Sequence, residues 1–150
     1  IARGFLCIHG SKPKRVVGLC SYVWFSQLGF PHITLEFPYK RQSPVTRQVK
    51  TYKCMDDVWD DINALVDKWS GSNYSLGRNL YFHLPLFMNP YWIITETDAI
   101  VLQEYSWIKD FNIPLAENLD DADALKLETF NIIKNEINEI KTYMSEQHGR

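Results

Sequence analysis

Residues 55–69 have the sequence MDDVWDDINALVDKW, which is the most regular pattern in the chain. Apolar side chains recur in it at spacings of three and four, the period of one face of an α-helix. Asp56 and Asp57 lie near its beginning and Lys68 near its end, as the helix dipole favours. The pattern therefore predicts an amphipathic helix over residues 55–69. Its apolar stripe consists of Met55, Val58, Ile62, Leu65 and Trp69.

The same helix marks a change of charge along the chain. Residues 1–54 contain nine Lys and Arg residues and one acid, a net charge of +8. Residues 55–150 contain seven basic residues and seventeen acids, a net charge of −10. Such a separation indicates a polyanionic partner or head-to-tail association. At this length we expect one domain, residues 1–150, with a basic β-rich part (1–54) and an acidic, mainly helical part (55–150).

Upstream of the helix, β-branched and aromatic residues favour strands. Residues 3–9 and 16–25 are expected to form a hairpin across the turn-forming residues 10–15. Residues 33–37 alternate apolar and polar side chains and are predicted to form a third strand. Residues 45–54 are interpreted as a fourth strand that leads into the helix.

Downstream of the helix, residues 70–79 are rich in Ser, Gly and Asn and are expected to form an exposed loop. Residues 80–84 and 91–95 are predicted to be short extended pieces on either side of a proline-bounded loop. Asp98 is a candidate N-cap for a helix over residues 99–110.

A long C-terminal helix is predicted from a second apolar seam. Acids precede it at Asp120, Asp121 and Asp123. Two alternatives remain open: a helix packed on its own domain, or a helix paired with another chain. The predicted class is α+β, a small N-terminal antiparallel sheet (a hairpin plus one or two strands) with about three helices, the last one long. The seam residues are Phe130, Ile133, Ile137, Ile140 and Met144.

The sequence contains no recognisable catalytic or cofactor-binding motif. It contains no glycine-rich phosphate-binding loop, so we expect no cofactor. The acids of the central helix are interpreted as a solvated face, with a magnesium site as the alternative. Three thiols in irregular spacing are expected to be reduced, and no metal is expected. The alternative for the thiols is a metal site formed by Cys7, His9, Cys20 and Cys54. The alternative magnesium site would be formed by Asp56, Asp57, Asp60 and Asp61.

The basic N-terminal surface is the first candidate for binding. Tyr39 and Tyr52 lie among its cations, and a basic strand surface with aromatic rings can hold single-stranded nucleic acid. An acidic protein would fit the same charges. The residues proposed for this surface are Lys12, Lys14, Arg15, Lys40, Arg41, Arg47, Lys50 and Lys53.

An aromatic loop is the second candidate. Residues 84–92 have the sequence LPLFMNPYW, and Trp, Tyr and Met are common anchors in protein interfaces. We expect this loop to form a partly exposed apolar patch, with core burial as the alternative. The residues proposed as a protein interface are Phe87, Met88, Tyr91 and Trp92.

These features together favour a non-enzymatic interaction or assembly protein, with a protein partner or self-association. A nucleic-acid-binding accessory protein is the second hypothesis, and a small hydrolase or nuclease without a recognisable motif is the third. The apolar runs are shorter than a bilayer span, so no membrane partner is expected. We expect an intracellular, cytoplasmic location or association with a virion, and the many aromatic residues suit a phage-encoded protein.

Overall fold

The computed structural model describes residues 13–114 and 124–149. Its described part contains five α-helices and one two-stranded antiparallel sheet, so the predicted α+β class with an N-terminal sheet and a long last helix is confirmed. The predicted strand 3–9 and the acids at 120, 121 and 123 lie outside the described residues. In chain order the elements are α1 (Lys14–Leu28), β1 (Tyr39–Gln42), β2 (Val49–Tyr52), α2 (Met55–Lys68), α3 (Leu76–His83), two short 3₁₀ helices (Leu84–Leu86 and Pro90–Ile93), α4 (Glu96–Asp110) and α5 (Ala124–His148).

Helix α1 lies at the centre of the molecule, and the strand predicted over residues 16–25 is wrong. Eight of those residues are buried, and they face every side of the helix. A helix that is apolar all round has no 3.6-residue signal, because it has no solvated face. Gly18 allows close packing here: a Cβ at this position would lie 2.6 Å from the carbonyl oxygen of Ile93.

Helix α1 contributes to both apolar clusters of the core. Val17, Cys20 and Phe25 belong to the first cluster, which also includes buried residues of α2 and α3. Leu19, Val23 and Trp24 belong to the second, which includes buried residues of α4 and α5. The two clusters therefore share one helix as a common wall.

The sheet is a hairpin formed later in the chain than predicted. β1 and β2 pair antiparallel, with Tyr39 opposite Tyr52 and Gln42 opposite Val49. β2 lies within the predicted strand 45–54 and leads into α2, as expected. The strand predicted over residues 33–37 is wrong, since this segment has no regular structure and the first strand begins at Tyr39.

The helix predicted over residues 55–69 is confirmed as α2, with Val58, Ile62 and Leu65 buried. Residues 70–75 form the expected loop, but Ser75 then caps α3 by accepting a hydrogen bond from the backbone N–H of Arg78. The extended structure predicted over residues 80–84 and 91–95 is wrong, because both segments are largely helical. The first belongs mainly to α3, and much of the second is 3₁₀ helix.

The start of α4 is set by a reciprocal cap. Thr95 accepts from the backbone N–H of Asp98, and the Asp98 carboxylate accepts from the N–H of Thr95 at 2.9 Å. The helix therefore begins at Glu96, three residues before the predicted start, because Asp98 is the third helical residue and not the N-cap.

Helix α5 packs on its own domain through its apolar seam. Ile133 and Ile140 are buried against α1, Phe130 and Ile137 are partly buried, and Met144 is exposed. Pairing of this helix with another chain stays untested. Within the described residues, no helix has both the length and the apolar character needed to cross a bilayer.

Three helices meet at one buried carboxylate on α5. Glu136 accepts hydrogen bonds from Trp24 Nε1 (2.8 Å), Ser75 Oγ (2.7 Å) and the backbone N–H of Gly77 (3.2 Å). The last two donors lie at the N-terminus of α3, where a negative charge is favoured. A Cβ at Gly77 would overlap both the Trp24 ring and this carboxylate. Glycine is therefore required for the three helices to meet.

Candidate interaction surfaces

The structure brings together most of the predicted basic residues, but not all of them. Lys14 lies over the ring of Trp59 on α2, with Nζ 4.9 Å from the ring centroid. Arg15 points elsewhere and donates to Thr129 Oγ1 on α5 at 3.3 Å. Lys12 lies outside the described residues. The remaining five belong to one local structure, the hairpin and the residue that follows it: Lys40, Arg41, Arg47, Lys50 and Lys53.

Four cations of this group are available to a partner, and we call them the basic hairpin: Lys40, Arg41, Arg47 and Lys53. All four are exposed. None of them forms an ion pair with any other residue of the described ranges. Lys50 differs, since its Nζ lies 3.0 Å from the Asp61 carboxylate.

Asp61 anchors the hairpin to α2. Besides Lys50, its carboxylate accepts hydrogen bonds from Tyr52 Oη (2.6 Å) and Ser43 Oγ (2.9 Å). Ser43 is itself buried, and its Oγ accepts from the backbone N–H of Val45 at 3.2 Å. The base of the hairpin and its turn are therefore held by one buried network.

The four acids of α2 do not share one environment. Asp56 and Asp60 are exposed, as predicted, but the prediction of a solvated face is wrong for Asp61, which is buried because it binds the hairpin. Asp57 accepts from the backbone N–H of Lys53 at 2.7 Å. In the described part of the chain, no group of three or more His, Cys, Asp or Glu side chains is placed to hold a metal ion.

The candidate thiol ligands are only partly covered by the structure. Cys20 is buried in α1, whereas Cys54 is exposed at the start of α2. Cys7 and His9 lie outside the described residues. The expectation that the thiols are reduced and metal-free therefore stays a prediction.

Tyr39 and Tyr52 face the core and not the solvent, so the predicted stacking of nucleic-acid bases on these rings is wrong. Their rings stack on each other with centroids 5.1 Å apart. Tyr39 Oη donates to the carbonyl oxygen of Phe87 at 2.9 Å. Burial raises the pKa of Tyr39 to about 12. It also raises the pKa of Tyr52, and the neighbouring Asp61 raises it further.

Replacing Tyr39 by Phe should have an effect on stability that depends on pH. At neutral pH we expect a loss of about 1 kcal/mol, since the Phe87 carbonyl loses its donor. Above about pH 10 the unfolded wild type ionises this tyrosine while the folded one does not, which costs about 1.4 kcal/mol per pH unit. The variant lacks this cost, so its deficit should shrink above about pH 10 and vanish near about pH 11, and the variant should be the more stable protein by the folded-state pKa of about 12.

Urea unfolding at neutral and alkaline pH measures this difference directly. Tyr74→Phe is the control. Tyr74 is exposed, so removing its hydroxyl should leave the free energy of unfolding unchanged at both neutral and alkaline pH. A difference that stays constant with pH would contradict the assignment of Tyr39 as a buried, protonated hydroxyl.

The aromatic loop is divided between core and surface. Phe87 and Met88 are fully buried, so the prediction of exposure is wrong for these two. The 3₁₀ helices around Pro85 and Pro90 turn the loop back onto the core. Trp92 is half-buried against Phe37, with ring centroids 4.8 Å apart. Tyr91 alone of the four is more than half exposed, at 54%.

Beside Tyr91 lies a surface groove that sequence reasoning missed. It is shallow and open, with a volume of about 420 Å³, and lies between the C-terminal end of α1 and α3. Phe30 stacks on Phe25 (5.4 Å between centroids) and on Tyr91 (4.1 Å). We call it the aromatic groove. Its lining residues are Phe25, Leu28, Gly29, Phe30, Pro31, Tyr81, Phe82 and Pro85.

Exposed apolar side chains continue the groove on the surface. Phe82 is 44% exposed on its wall, and Leu86 is 60% exposed just beyond Pro85. Next to Phe82, the guanidinium of Arg78 lies 4.1 Å from the ring centroid of Tyr74 and 5.2 Å from that of Tyr143. The aromatic surface therefore extends from the groove along α3.

No family model matches the chain, and no curated protein or solved structure is significantly similar to it. Its function must therefore be inferred from the two surfaces themselves.

Proposed function

We propose that this chain is a non-enzymatic interaction protein that binds a protein partner in the aromatic groove. The observation that carries the proposal is the open groove lined by apolar and aromatic residues, with Phe82 on its wall and Tyr91 stacked on Phe30. Aromatic side chains are enriched in protein interfaces, where they supply much of the binding energy.

The chemistry of the groove favours a protein over a polar ligand. None of its lining residues is charged, so a partner would gain binding energy mainly by removing apolar surface from water. Tyr91 stacks on Phe30, and Phe82 packs edge-on against Tyr81. These contacts restrict both rings before binding, which lowers the entropy lost when a partner immobilises them. Large side chains of this type supply most of the binding energy in protein interfaces.

Phe82→Ala should weaken partner binding at least tenfold, because removing a central aromatic anchor costs about 2 kcal/mol or more. Tyr91→Ala removes a ring that stacks on Phe30 beside the groove and should weaken binding by less. Both side chains are only about half buried, so the free energy of unfolding should fall by about 1 to 2 kcal/mol. Partners captured from nuclease-treated extract would be purified, and their dissociation constants measured by calorimetry.

Trp107→Ala is the matched control. Trp107 is 53% exposed, but it lies on α4 and outside the groove. Equal loss of binding in the control would show that the groove is not the site. Unchanged binding in both groove variants would overturn the proposal.

Three sequence-based expectations stay predictions. They are the single domain over residues 1–150, the lack of enzymatic activity, and a location in the cytoplasm or a virion. If the chain acts in assembly by self-association through the groove, the oligomeric state should differ between the two proteins. The wild type would be oligomeric, and a groove variant such as Phe82→Ala would be monomeric.

A further inference from the structure

We propose that the basic hairpin binds double-stranded DNA, with the outer face of the β-ribbon placed in the major groove. This activity is separate from the proposed protein site, since the groove is built by α1, α3 and the segments beside them. The hairpin is built by β1 and β2. Either proposal can therefore fail without the other.

The outer face of the ribbon follows from its register. Side chains alternate between the two faces of a strand, and Tyr39 and Tyr52 occupy the buried face. Lys40 and Thr51 are paired on the opposite face, followed by Gln42 and Val49, and all four are exposed. The cation of Lys40, the hydroxyl of Thr51 and the aliphatic group of Val49 are types of side chain that contact phosphates and base edges, whereas the amide nitrogen of Gln42 is held by the Arg47 carbonyl.

The charges of the hairpin are complementary to a polyanion. Arg41 lies directly opposite Lys50 in the register, and like charges in this position destabilise a strand pair. Asp61 neutralises only Lys50, so Arg41 remains without an acidic partner. Arg41 and Lys50 lie on the face of the tyrosines, so the unpaired cations that phosphate groups would reach from the outer face and the turn are Lys40, Arg47 and Lys53.

The acids near the hairpin restrict the contact to the ribbon. Asp61 is buried under Lys50, and Asp57 accepts the N–H of Lys53. Asp56 and Asp60 are exposed on α2 and would repel a phosphate backbone. The duplex is therefore expected to contact the hairpin and its turn and not α2.

A duplex fits this surface better than a single strand. Single strands are held by bases stacked on exposed aromatic rings, and both tyrosines of the ribbon are buried. Two strands lie about 5 Å apart, and a ribbon of this width enters the major groove, which is about 12 Å wide.

The turn at the tip of the ribbon is preorganised. Arg47 donates its N–H to the Ser43 carbonyl at 2.8 Å, and Gln42 Nε2 donates to the Arg47 carbonyl at 2.8 Å. With the base fixed by Asp61, little ordering of the backbone is needed on binding.

Fluorescence anisotropy with a short labelled duplex, at low salt, tests the proposal. The double variant Lys40→Glu/Arg47→Glu, which reverses the cation of the outer face and the cation of the turn, should bind at least tenfold more weakly and show a shallower dependence on salt. The control Lys134→Glu/Lys141→Glu changes the net charge equally but on exposed residues of α5, and should stay within about threefold of wild type.

Three outcomes would overturn the proposal. They are no duplex binding at about 50 mM salt, equal losses in the hairpin and control variants, and binding to an acidic polyglutamate peptide in place of the duplex. Methylation with dimethyl sulfate then locates the contact. Protection of guanine N7 supports the major groove, whereas its absence, with or without protection of adenine N3, rejects that placement.

Discussion

Replacing Glu136 by Ala is expected to lower the free energy of unfolding by about 4 kcal/mol. The carboxylate accepts from Trp24 Nε1, Ser75 Oγ and the backbone N–H of Gly77. All three donors would lose their acceptor, and those of Trp24 and Gly77 would be left buried, since Glu136 is only 6% exposed. Removal of the carboxylate would also leave a cavity between α1, α3 and α5.

Urea denaturation followed by circular dichroism measures this loss. Glu128→Ala is the matched control, since Glu128 is an exposed acid on the same helix and its loss should change stability by less than about 0.5 kcal/mol. Glu136→Gln should lie between the two, because its amide presents a donor where an acceptor is needed. A Glu136→Ala variant as stable as the control would contradict the role given to this carboxylate.

Replacing Asp61 by Ala is expected to cost about 3 kcal/mol. The change removes the acceptor of Tyr52 and Ser43 and leaves Lys50 without its ion pair. The expected loss is smaller than that at Glu136 because Lys50 is partly exposed and can be solvated, its side chain being 31% accessible.

The loss at Asp61 should be concentrated in the hairpin. Hydrogen exchange of the Ser43 amide, which donates to the Gln48 carbonyl at 2.9 Å, should become faster in Asp61→Ala. Asp60→Ala is the control, an exposed acid one position away on α2. If the control loses as much protection as Asp61→Ala, the anchoring role assigned to Asp61 is wrong.

Helix α2 could be predicted from sequence because it has one buried face and one solvated face, and this contrast produces its spacing of three and four. Helix α1 could not. Its residues are buried on all sides, so the periodic signal vanishes and its valines and aromatic residues suggest a strand. Local composition then favoured the wrong structure, because the burial of α1 is decided by elements distant in the chain.

The basic hairpin and the aromatic groove also differ in how far they could be predicted from sequence. The cations of the basic hairpin are close in sequence, so their clustering could be predicted, although the burial of Tyr39 and Tyr52 could not. The aromatic groove is lined by segments around Phe30 and Phe82, more than fifty positions apart, which meet only through packing. The partners of Asp61 and Glu136 are equally invisible to local pattern, since they depend on contacts between elements.

The contact between Trp24 and Glu136 has a consequence for the order in which the protein folds during synthesis. The two residues are 112 positions apart. At the usual rate of translation, about 5 to 20 residues per second, Glu136 is synthesised roughly 6 to 20 s after Trp24. The indole of Trp24 lacks its hydrogen-bond acceptor during this interval. During that time the apolar side chains of α1 that pack against α5 in the folded protein remain exposed to solvent. The core around α1 in a nascent chain therefore remains incomplete, and accessible to chaperones, until α5 has left the ribosome.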